Sequence, residues 1–277
     1  MKVLLILAAK ELRDGLRNRW VAAAILLLAT LALSLAFLGS APVGTVKAGA
    51  LSVTIASLSS LTVYLLPLIA LLLAYDALVG EAERGTLLLL LAYPVARWQV
   101  VLGKFLGHVA ILGLAILLGY GAVLLALAAT GSGTGAAEEW RAFGAMMASS
   151  LLLGAAFLAL GYLPSALVRE RATAAGAAIG LWLVLVVLYD LTLLGLLIAD
   201  EGQRIGQGLI SALLVANPTD AYRVFNLAGS EGVGQVSGMA GLASMSGFGP
   251  ATLLLAMLAW VALPLTATVL VFRRKEI

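Results

Sequence analysis

Six stretches of this chain are each long and apolar enough to cross a lipid bilayer, and that property decides the fold class. They run over Trp20–Gly39, Thr54–Tyr75, Phe105–Ala129, Phe143–Val168, Ala172–Ala199 and Pro250–Phe272. A spanning helix needs about 20 mostly apolar residues. The apolar character is continuous and does not alternate at every second residue, which predicts helices and not the strands of a transmembrane barrel. Of the 277 residues 62% are hydrophobic and 11% charged, where a soluble domain carries about 25% charged residues. So little charge cannot coat a water-facing surface. The expected fold is all-α and integral to the membrane, with residues 1–277 as one transmembrane unit.

Orientation follows from lysine and arginine, which are retained on the cytoplasmic side. The segment before the first span, the loop after the second, the turn between the fourth and fifth, and the tail together hold 13 of them; the three opposite segments hold Lys47, Arg141, Arg204 and Arg223. Both termini are therefore expected in the cytoplasm. The charged region before the first span is long and the apolar stretch is of full spanning length, so this span is expected to be kept as a membrane helix.

Other classes drop out. There is no cysteine, which removes disulfides, thiolate metal sites and cysteine nucleophiles. No basic patch is interleaved with aromatic residues, so nucleic acid is not an expected partner. The phosphate-binding pattern Gly-x-x-x-x-Gly-Lys-Ser/Thr is absent, since Gly103-Lys104 is followed by Phe105. One histidine and six scattered methionines, Met146-Met147, Met239 and Met245 among them, are a poor ligand set for a soft metal. No metal site is expected.

Two cytoplasmic elements stand out. Residues 1–19 read as an amphipathic helix with Leu5, Ala9, Leu12 and Leu16 on one face and Lys10, Arg13, Asp14 and Arg17 on another. Such a helix suits the membrane interface as well as an anchor for the first span. The loop after the second span, 81–97, begins with Glu81 and Glu83, which suit a helix start. It continues through Leu87–Leu91, too short to span, and is broken by Pro94. Five leucines in a charged loop must be buried somewhere: on the membrane surface, under the bundle, or in a partner's groove.

Within the spans, Asp190 is a carboxylate where ionisable groups are costly and carry function by default; local hydrogen bonding to Tyr189 or Thr192, or a span that ends early and leaves Asp190 near the outer surface, competes with a place along a polar pathway. His108 is expected near the inner interface in a structural or interfacial role. Asp76 closes the second span, either solvated or paired with Arg84 or Arg97. Gly176 and Gly180 permit close helix approach, within the bundle or to a second copy. The outer segment, 200–249, holds a short helix over Ile205–Ala216. Asn217-Pro218 then reads as an N-cap followed by proline at the first helical position, with Asp220 in the first turn.

The pattern Glu81, Gly85-Thr86, Leu87–Leu91, Pro94, Arg97 and Lys104 resembles the signature of ABC-2 type transporter permeases. The resemblance implies the six-span, type V exporter-like arrangement with an N-terminal amphipathic helix, and a coupling helix over 81–97 that docks on an ATPase. Glu81, Glu83, Arg84, Gly85, Thr86, Leu89, Pro94 and Arg97 would carry that docking. Spans one and five would meet a second copy, placing Gly176 and Gly180 at the dimer interface.

The runs Lys10–Trp20, Leu71–Asp76, Gly103–His108 and Asn217–Arg223 resemble, within that family, permeases that serve maturation of the copper–sulfur site of nitrous oxide reductase. That implies a homodimer in a bacterial inner membrane and a separate cytoplasmic ATPase dimer holding ATP and magnesium. It also implies a periplasmic partner, whose first candidate contacts are Asn217, Pro218, Asp220, Tyr222 and Arg223. The cargo would be a sulfur species. Transmission of motion without cargo, and general export of lipids or drugs, are the alternatives.

Overall fold

Apolar segments in a bilayer must satisfy every backbone polar group internally, and helices do so within one segment. The computed structural model describes residues 2–38, 50–129, 137–200, 206–227 and 248–275, and these hold helices and no strand. In chain order they are α1 (Lys2–Leu16), α2 (Arg19–Leu38), α3 (Ala50–Ala74), α4 (Val79–Glu83), α5 (Thr86–Leu91), α6 (Arg97–Ala129), α7 (Ala137–Leu167), α8 (Arg171–Trp182), a π-helical segment (Leu183–Leu188), α9 (Tyr189–Asp200), α10 (Gln207–Val215), α11 (Pro218–Leu227) and α12 (Pro250–Arg274). Among the described residues, six helical runs are long and apolar enough to cross a membrane: α2, α3, α6, α7, the continuous run α8–π–α9, and α12.

The fourth span, α7, is the most enclosed and lies at the centre, with α3 and α12 packed along it. Phe143, Phe157 and Tyr162 of α7 are fully buried there. The fifth span is the least covered by the rest of the chain.

Several boundaries differ from the sequence reading. The third span begins at Arg97, not Phe105, because Gln99 reaches back and accepts a hydrogen bond from Ala96 N–H at 2.9 Å, one half of a capping box. At 33 residues α6 is about 50 Å long, well beyond the roughly 30 Å hydrocarbon core. The expected single helix over 81–97 is two short helices. Gly85 between them takes φ 69°, a left-handed conformation that costs other residues roughly 1–2 kcal/mol. Glu81 lies in the first turn of α4 and Glu83 closes it.

The N-terminal helix uses an unexpected face. α1 runs alongside the first turns of α6 in the same direction, Leu7 against Gly103, Glu11 against Gly107 and Gly15 against Ile111. A β-carbon on Gly107 would come within 2.5 Å of Glu11 Cβ; absence of side chain at Gly103 and Gly107 is what lets the two helices close. Leu5 and Leu16 of the anticipated stripe point outward and are exposed, available to lipid.

Candidate functional site

The densest polar construction lies where α1, α4 and α6 converge. Lys104, one turn past Val100 on α6, is buried, and its Nζ stands 2.7 Å from Glu11 Oε1 of α1 and 2.7 Å from Glu81 Oε1 of α4. Lys10 reaches the same two carboxylates from the rim at 3.0 and 3.3 Å. Two lysines and two glutamates balance, which a low-dielectric site requires. Burial alone would lift the Glu11 carboxyl, but Lys104 and Lys10 outweigh it and hold it below its usual value. His108, one turn further along α6, hydrogen-bonds the Tyr162 hydroxyl of α7 through Nδ1 at 2.7 Å and turns Nε2 to Glu11 at 3.7 Å. His108 is thus buried among α1, α6 and α7.

The rest of the 79–97 segment is fastened to other spans by its own termini. The orphan N–H groups at the start of α4 need acceptors; Ser165 Oγ of α7 takes those of Leu78 and Val79 at 3.0 and 3.2 Å. Glu83 Oε1 accepts the Arg171 N–H at 2.7 Å and so serves the first turn of α8. Asp76 pairs with Arg171 and, at 3.5 Å, with Arg84. Arg97, weighed as a partner for Asp76, instead donates to the Phe272, Arg273 and Lys275 carbonyls at the end of α12, where a cation suits the helix dipole. Thr86 Oγ1 bonds the Glu81 carbonyl and ties α5 to α4. Of the five leucines, Leu87 is buried, whereas Leu88, Leu89 and, beyond them, Tyr93 stand exposed. A cavity of about 580 Å³ opens beside the cluster, bordered by Asn18, Trp20, Asp76, Arg84 and Arg171.

A second polar construction sits at the other end of the bundle, built on α11. Asn217 is the N-cap the sequence indicated: its Oδ1 accepts the Thr219 N–H at 3.0 Å, with Pro218 opening the helix. Its Nδ2 donates to the Leu185 carbonyl at 2.7 Å, inside the π-helical segment of the fifth span, where carbonyl pairing is disturbed. Tyr222 hydrogen-bonds Ser150 and Asn226 bonds Ser149, both on α7. Asp190 finds its partner across the bundle, not beside it: Arg223 Nη2 lies 2.8 Å from its Oδ2, while Arg223 Nη1 holds Asp220 at 2.9 Å. Thr192 bonds the Leu188 carbonyl and Tyr189 the Leu213 carbonyl, so neither expected local partner serves Asp190.

Gly176 and Gly180 belong to neither construction. An added β-carbon at either would meet nothing within 4 Å, so both lie on an open face of α8. Met146 is packed in the core; Met239 and Met245 fall outside the described residues. Sequence reasoning missed Lys104 and Glu11 as a pair. The signal was present in Glu11 opposite the amphipathic stripe and in Lys104 and His108 spaced one turn apart, but no one-dimensional pattern brings α1 onto α6.

The chain matches the model of the family described as "ABC-2 family transporter protein" over residues 5–277. It is 48% identical over 269 residues to the "Probable ABC transporter permease protein NosY" of Stutzerimonas stutzeri, covering 97% of each chain. It is likewise 48% identical over 277 residues to the Pseudomonas aeruginosa protein of the same name, covering 100% of both.

Proposed function

The chain belongs to the ABC-2 family of transporter proteins, and from that premise we propose that a separate cytoplasmic ATPase drives it through the segment 79–97. An ABC permease is the membrane component of its transporter, and this one has no phosphate-binding loop of its own, so ATP and magnesium belong to the partner. The ATPase docks on the exposed Leu88, Leu89 and Tyr93. Glu81, Glu83, Arg84, Gly85, Thr86, Pro94 and Arg97 shape and anchor the docking element.

The observation that carries this reading is the fastening of α4. Ser165, Glu83 and Lys104 join it to α7, α8, and α6 with α1. A displacement applied at α5 therefore reaches four membrane-associated helices through hydrogen bonds and ion pairs, not through a slack loop. The lysine and arginine bias supports cytoplasmic termini in a bacterial inner membrane. The open face of Gly176 and Gly180 on the least covered span supports a homodimer, since a second copy would cover it.

The NosY relatives support a place in maturation of the nitrous oxide reductase copper–sulfur site, beside a NosF-like ATPase dimer and a periplasmic NosD-like protein. Two modes fit: export of a sulfur species, and transmission of motion to the periplasmic protein without cargo. The second is favoured by α11, whose Tyr222 and Asn226 are bonded directly to α7, the helix that Ser165 ties to α4. Asn217, Pro218, Asp220 and Tyr222, expected as periplasmic contacts, are buried within the chain, so in that mode α11 carries the motion outward as a body, and Asp190 is a structural tie instead of a pathway residue. General export of lipids or drugs is a third reading.

The test is co-purification of tagged protein in mild detergent with mass spectrometry of its companions. An ATPase and a periplasmic protein together support the maturation complex. An ATPase alone supports the general exporter, and recovery without any ATPase overturns the reading.

A further inference from the structure

Around α11 two carboxylates share one guanidinium. Asp220 is fully buried, and Asp190 is largely so. Arg223 uses Nη1 for Asp220 Oδ1 and Nη2 for Asp190 Oδ2. That leaves Asp220 Oδ2 and Asp190 Oδ1 buried without a donor, on two carboxyl groups that are held side by side by the two terminal nitrogens of one guanidinium. Two ionised carboxylates there would place acceptor against acceptor, with one uncompensated negative charge away from water. Such a pair cannot hold both charges. A single proton between them supplies the missing hydrogen bond and restores neutrality at once.

We propose that Asp190 and Asp220 bind one shared proton, forming with Arg223 a pH-sensitive junction between the fifth span and α11. The surroundings leave the proton as the available counter-charge. On α11 and the fifth span the titratable neighbours are Arg223, Tyr222 and Tyr189, and α3 contributes Tyr64 near Arg223. From α7 come the hydroxyl of Ser150 and that of Ser149. Neither α10 nor α12 between Pro250 and Val271 contains a titratable side chain. Burial pushes the Asp220 carboxyl up to about 7; Arg223 opposes this and Asp190 adds to it.

The sign is the reverse of an ordinary salt-bridged aspartate. With the folded value raised, the folded state binds the proton more tightly than the unfolded one. The junction is therefore firm below neutrality and weakens as pH rises through about 7. The ion pair to Arg223 survives, but the second carboxylate loses its hydrogen bond. Asn217 holds the Leu185 carbonyl next to this point, so loosening would free α11 from the π-helical segment.

The experiment is an infrared titration of the full chain in lipid nanodiscs, following the carbonyl stretch of protonated carboxyl groups, with thermal unfolding measured in parallel. Asp220→Asn and Asp190→Asn serve as independent variants. The expected result is one carboxyl signal in the wild type that disappears as pH passes neutrality and is missing from either variant, with an unfolding midpoint that falls over the same range only in the wild type. A wild type with no carboxyl titrating near neutrality overturns the proposal, and this needs no variant to fold. A signal that persists in a folded variant overturns it too. So does a response to sodium ions at constant pH in place of the response to protons, which would make the pair a cation site.

Discussion

Lys104 Nζ and Glu81 Oε1 lie 2.7 Å apart in the bundle interior, and through that contact the loop after the second span is bonded to the third. Glu11 occupies the other side of the same nitrogen at 2.7 Å. Replacing Lys104 by methionine keeps the volume but leaves two carboxylates to share the rim cation Lys10 alone. Breaking a buried ion pair from one side costs about 3–5 kcal/mol, so Lys104→Met should lower the thermal midpoint of the purified protein sharply. Adding Glu11→Gln and Glu81→Gln should restore most of the loss, because a neutral trio needs no counter-charge. Absence of that rescue would mean that packing, not charge, holds the site.

The seat of α1 on α6 makes a paired prediction about glycine. Gly107→Ala places a methyl group 2.5 Å from Glu11 Cβ and 2.9 Å from the Ala8 carbonyl, and overpacking of this kind costs about 1–3 kcal/mol. Gly121 lies on the same helix with open space around its Cα; there alanine should be neutral or gain up to about 1 kcal/mol from helix propensity. Unfolding of the two variants side by side checks the packing of the N-terminal helix.

Acid should attack the same region. Burial raises the Glu11 carboxyl, Lys104 and Lys10 pull it down further, and its value ends below the ordinary 4.5. A depressed folded value means that the group's contribution to stability is present above 4.5 and is lost as pH falls through the lower folded value. Glu11→Gln should flatten this part of the profile of unfolding midpoint against pH, while leaving any transition near neutrality in place.

A charge at the proposed ATPase contact should separate binding from folding. Leu89 is 69% exposed and makes little contact within the chain. Leu89→Glu should leave the unfolding midpoint within about 0.5 kcal/mol equivalent of wild type, yet abolish recovery of the ATPase in a pull-down. Normal recovery would remove the 81–97 segment from the contact.

The sequence made the membrane architecture legible because each span is a local property: enough consecutive apolar residues can only be a spanning helix. Asn217-Pro218 was legible for the same reason, a cap and its helix being neighbours in the chain. The 81–97 segment was legible as helical but its shape was not, since one left-handed glycine turns one helix into two. The Lys104–Glu11 pair joins residues 93 positions apart, and the Asp190–Arg223 pair spans 33. Both depend on which helix faces which, and periodicity reports a helix's faces without naming their neighbours. The stripe Leu5–Leu16 shows the hazard: the apolar face of α1 turned outward and the face bearing Glu11 turned in.

The most direct measurement uses the chain's lack of cysteine. Leu89→Cys provides a single thiol on α5, and Leu125→Cys provides one on the exposed face of α6 near the opposite end of the third span. Each would be treated with a short thiol-to-amine cross-linker in membranes containing the co-expressed ATPase subunit. The account predicts a permease–ATPase adduct from Leu89→Cys and none from Leu125→Cys. An ATPase that co-purifies with the Leu89→Cys protein yet yields no adduct at that site would contradict it.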